Sequence, residues 1–142
     1  MAAAGPGWFS PPNPGDIVWC RFPHSGLPGP GPKPRPALVL KVGENKGLPV
    51  VVAAYGTSRK VDKLYPGEFA ILPTDRAALE TAGLSTPTKF NLGRAFELDF
   101  NDVWFAVPPG APCGQTPRLG ILHPSLVRRA KAAHDAAMRA AR

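Results

Sequence analysis

Proline placement constrains this chain more than any other feature. Six prolines and three glycines lie between Pro23 and Pro36, and apolar runs flank them on both sides. Proline offers no amide proton to a ladder and holds φ near its turn value, so regular structure must fall between the prolines. Before this loop, Asp16–Phe22 carries Ile17, Val18 and Trp19, which favour extended backbone. After it, Pro36–Val42 is almost continuously apolar, the pattern of a central strand. The chain's 19 prolines and 15 glycines fall mostly outside such runs, which favours a small β-rich barrel or sandwich with long loops over a bundle.

With 142 residues, 44% apolar and only 19% charged, the chain has material for one domain and is not generally disordered in composition. Residues 1–14 read as a flexible N-terminal arm and 15–142 as a single domain. Gly43–Pro49 reads as a turn into a third strand, Val50–Tyr55, and Glu68–Leu72 as a further one. Thr74 or Asp75 then caps a short helix through Ala82 that Gly83 closes. Lys89–Leu98 has partly extended character, and Asn101–Val107 reads as a strand. At the end, Leu126, Ala130, Ala133 and Ala137 recur at helical spacing, which predicts a C-terminal helix over 124–140. No apolar run approaches membrane-spanning length and no signal-peptide pattern opens the chain, so the expected location is cytoplasmic.

A formal charge of +7 points to a polyanionic partner, either a nucleic acid or an acidic protein. Cys20 and Cys113 are too few for a zinc signature, and the three histidines stand in unrelated contexts, so no metal site and no cofactor is expected. Nucleotide-binding glycine loops and a Gly-x-Ser-x-Gly elbow are also absent. What remains is arginine and hydroxyls. Arg35, at the mouth of the second strand, is either a phosphate contact or a solvated loop arginine. Thr57 or Ser58, where the third strand ends, either binds the same phosphate or caps a turn. Such an inventory suits RNA cleavage, because the neighbouring 2′-OH is the nucleophile and the protein need only orient groups, stabilise charge and transfer protons.

Three segments stand out together: Gly15-Asp16-Ile17-Val18-Trp19, Lys33-Pro34-Arg35-Pro36-Ala37-Leu38-Val39-Leu40, and Val50-Val51-Val52-Ala53-Ala54-Tyr55-Gly56-Thr57-Ser58. In this order they resemble the MazF/PemK family of toxin endoribonucleases from type II toxin–antitoxin pairs. The resemblance covers the N-terminal half and implies a mainly β fold with short helices: a small SH3-like β-barrel, carrying here a C-terminal helix, usually as a homodimer. It implies metal-independent cleavage of single-stranded RNA by 2′-OH attack, leaving 2′,3′-cyclic phosphate and 5′-OH ends, and an acidic antitoxin protein as partner. The family's catalytic arginine falls on Arg35. An ungapped extension places its catalytic threonine at Gly56; one inserted residue brings it to Thr57, with Ser58 the next hydroxyl. Lys33, Arg59, Lys60, His24 and Trp19 are candidate RNA-binding residues: the cations for the backbone, His24 also for proton transfer or else a loop histidine without a role, and Trp19 for stacking or else a core aromatic. The alternatives are a noncatalytic nucleic-acid-binding module or a protein-interaction domain on the same barrel.

Overall fold

The computed structural model describes residues 9–23 and 29–141. Six strands form one antiparallel sheet: β1 (Asp16–Cys20), β2 (Arg35–Asn45), β3 (Leu48–Thr57), β4 (Glu68–Ile71), β5 (Thr88–Asp99) and β6 (Arg118–Ile121). A short helix α1 (Arg76–Thr81) follows β4. The chain ends in a 3-10 turn (Pro124–Leu126) and helix α2 (Val127–Ala140).

The strand order is β4-β5-β3-β2-β1-β6. This corrects the expectation of a closed SH3-like barrel, because β4 and β6 are opposite edges and the sheet is open. Both edge strands are four residues long, β6 pairs only with β1, and the turn after α1 presses on β6. A β-carbon on Gly83 would lie 2.0 Å from the Leu119 carbonyl oxygen, and one on Gly120 would lie 2.3 Å from that of Thr81. Two glycines thus let the turn after α1 lie directly against the backbone of β6.

Alternation along the strands separates two apolar layers. On one face Ile17, Leu38, Ala54 and Phe90 pack with Ala78 of α1 and with Leu126 and Ala133 at the C-terminal end. On the other, Val18, Val39, Val51 and Leu98 pack with Phe22, Phe100 and Phe105. The two central strands, β2 and β3, are covered on both faces, which explains their near-continuous apolar runs. Cys20 belongs to the second layer, and burial pushes its thiol up to about 12.

Three local expectations change. Only Lys46 and Gly47 separate β2 from β3, both at positive φ (54° and 81°), so the turn is tighter than the Gly43–Pro49 reading and the hairpin longer. Asn101–Val107 is no strand: the Asn101 side-chain oxygen accepts from Val103 N–H at 3.0 Å and its carbonyl from Phe105 N–H at 3.0 Å, winding the segment into turns. Asp75 is the residue before α1, but its side chain bonds none of the helix amides. Its carboxylate instead accepts from Leu72 N–H at 2.8 Å and receives a two-pronged Arg129 contact at 2.9 and 3.3 Å, which ties α2 to the start of α1. No helix among the described residues is long and apolar enough to cross a membrane.

Candidate nucleic-acid interface

Arg35 opens β2 and Thr57 closes β3. The two strands are antiparallel with Ala37 opposite Tyr55, so the two residues lie equally far beyond that pair, at the same end of the sheet. Both line a cavity of about 440 Å³. Ser58 and Trp19 share it, with Ser85 and Thr86 contributed by the loop between α1 and β5. Its remaining wall includes Pro108–Gly110 and Leu119. One guanidinium and several hydroxyls therefore face a common space over an aromatic ring, the group types that bind a phosphodiester and its base.

Gly56 decides which hydroxyl reaches that space. Its α-carbon packs against the backbone of Pro36 and the ring of Phe90, so the position the ungapped alignment selects cannot hold a threonine side chain. Thr57 is the next residue along. Its Oγ1 accepts from Arg59 N–H at 3.1 Å, which is the turn-capping role, and a hydroxyl that accepts one bond can still donate its own proton.

A second cavity of about 340 Å³ also has Arg35 in its wall, together with Lys33, Arg59, Tyr55 and Phe22. The sequence-predicted residues therefore divide in two groups that meet at Arg35. Lys60 lines neither cavity; it occupies a left-handed turn position with φ of 50°. His24 lies outside the described residues. Arg94, which also lines the second cavity, was missed by sequence reasoning. The available signal was Gly93 beside it, since a glycine inside a strand pattern marks a bulge.

Among the described residues, no ion pair engages Lys33, Arg35, Arg59 or Arg94. No group of three or more His, Cys, Asp or Glu among them is arranged to hold a metal ion. Residues 13–103 match the family described as PemK-like, MazF-like toxin of type II toxin–antitoxin system. No curated protein matches the chain.

Proposed function

The chain belongs to the family of PemK-like, MazF-like toxins of type II toxin–antitoxin systems, and on that premise we propose that it cleaves single-stranded RNA without a metal. The observation that carries this reading is the placement of Arg35, unpaired by any carboxylate among the described residues, in one cavity with Thr57, Ser58 and Trp19. Arg35 binds the scissile phosphate and opposes the charge that builds on its oxygens. Thr57 donates its hydroxyl proton to the same phosphate, and Trp19 offers a face to a neighbouring base. The 2′-oxygen forms the new bond to phosphorus as the bond to the 5′-oxygen breaks. One proton leaves the 2′-OH and one is taken up by the 5′-oxygen, so the products are a 2′,3′-cyclic phosphate and a 5′-hydroxyl. The partner in this reading is an acidic antitoxin that covers the basic surface, and the active form is a homodimer.

One observation favours a second reading, a noncatalytic RNA-binding module: glycine stands where the ungapped alignment puts the threonine, and Thr57 already caps a turn. The two separate in one experiment. Purified protein is incubated in EDTA with a long unstructured RNA, beside Arg35→Ala and Thr57→Val with folding verified. The proposal expects fragments with cyclic-phosphate ends, reduced about 10²–10³-fold in each variant. Tight binding of RNA that stays intact overturns it in favour of the binding module.

A further inference from the structure

The cavity beside the Arg35 site holds four cations and no carboxylate: Lys33, Arg35, Arg59 and Arg94 all line it. Gathering like charges in one pocket is unfavourable until an anion enters. What holds Arg94 there is an aromatic ring, since its guanidinium lies 4.5 Å from the centroid of Tyr55. Phe22 supports that ring edge-on at 5.4 Å. A cation seated on a ring is positioned without being neutralised, so its N–H donors remain for a ligand.

A built irregularity delivers Arg94 to this place. Along β3 and β5, Ala54 faces Ala95 but Tyr55 faces Asn91, so Leu92, Gly93 and Arg94 have no partner residues on β3. The first two residues of the bulge are fixed in place. Leu92 is buried in the core and its N–H donates to Gly67 O at 2.7 Å, while Gly93 N–H donates to Asn91 Oδ1 at 2.9 Å. Bulges of this kind re-aim a side chain beside a site.

The geometry points to a second phosphate subsite, built by Arg94, Arg59 and Lys33, that binds the backbone phosphate next to the scissile one. Arg35 stands at the junction between the two cavities, so a single strand of RNA places one phosphate over it and the neighbouring phosphate over Arg94. This inference rests on the RNA-cleaving reading above and adds to it a minimum substrate: efficient cleavage requires a second phosphate on one side of the scissile bond.

The test uses the full chain and a 2′-O-methyl RNA oligonucleotide, which cannot react, with affinity followed by fluorescence anisotropy across a salt series. Arg94→Gln weakens binding roughly tenfold and makes the slope of log K against log salt shallower by about 0.7. Arg94→Lys keeps the slope. With cleavable RNA, Arg94→Gln raises KM more than it lowers kcat. Wild-type protein supplies a check that needs no variant: adding a terminal phosphate to a dinucleotide raises kcat/KM about tenfold at one end only. An unchanged salt slope, or no gain from that phosphate, overturns the subsite even where Arg35→Ala abolishes cleavage. Loss of poly-glutamate binding in Arg94→Gln with RNA binding intact also overturns it and assigns the pocket to a protein partner. Intact RNA with every form of the protein instead removes the cleavage reading itself.

Discussion

Gly56 lies against Pro36 so closely that a β-carbon on Gly56 would sit 2.4 Å from the Pro36 carbonyl oxygen. The Phe90 ring closes the other side at 2.8 Å, so neither neighbour has a simple way to yield. Close approach of β2 and β3 at this point therefore depends on glycine, and on the reading proposed above the hydroxyl that serves the site is that of Thr57. Gly56→Thr does not restore a family-like site. It destabilises the fold by about 1–3 kcal/mol or more, read as a lower urea midpoint with unchanged m, and RNA cleavage falls with it.

Asp75 links stability to pH. The Arg129 hydrogen bonds, followed by the one from Leu72 N–H, hold its carboxyl below the usual carboxylate value. A carboxyl depressed in the folded state contributes stability above its unfolded pKa, and that contribution is lost as pH falls through the folded one. Thermal stability of the wild type accordingly drops as pH is lowered below about 4. Asp75→Asn lowers stability at neutral pH and shows a smaller acid-induced decline. Matching denaturation curves for the two proteins at every pH contradict this assignment.

Glu68 and Lys89 form a buried pair at 2.9 Å, with side-chain exposures of 10% and 7%. Lys89 also donates to Lys63 O at 3.0 Å, and Glu68 accepts from Tyr65 N–H at 2.9 Å. Glu68→Ala leaves the buried ammonium without its carboxylate, with only the Lys63 carbonyl to bond, and costs about 3–5 kcal/mol. Replacing both partners, Glu68→Leu with Lys89→Met, costs much less than Glu68→Ala because no buried charge is left alone. Equal losses in the single and double variants, measured by chemical denaturation, count against a paired role.

The central strands were legible because β2 and β3 are covered on both faces, and burial writes itself into sequence as unbroken apolar runs. Closure was not legible. Whether β4 and β6 meet is a relation between segments far apart in the chain, which local spacing does not carry. For β6 the obstacle was length: Arg118-Leu119-Gly120-Ile121 is four residues with a glycine inside, too short for alternation to register. Asn101–Val107 misled in the opposite way, since its aromatics suit a strand while Asn101 diverts the backbone into turns. At the candidate site, the Arg35-Pro36 pair singled out one cavity-lining residue from local sequence alone. Arg94 was hidden because a bulge's direction follows from the pairing on either side of it, which sequence spacing does not carry.

The cavity at Arg35 draws on residues from Trp19 to Leu119, and β1, the first strand made, takes β6, the last, as its edge partner. Chains emerge from the ribosome N-terminus first, so Arg35 and Thr57 are in solution well before the loop from Pro108 and the β6 ladder that complete their surroundings. On the reading proposed above, a growing chain has no finished site until residue 121 has cleared the exit tunnel. On that reading synthesis order acts as a timer, since no RNA-cleaving site exists before that point.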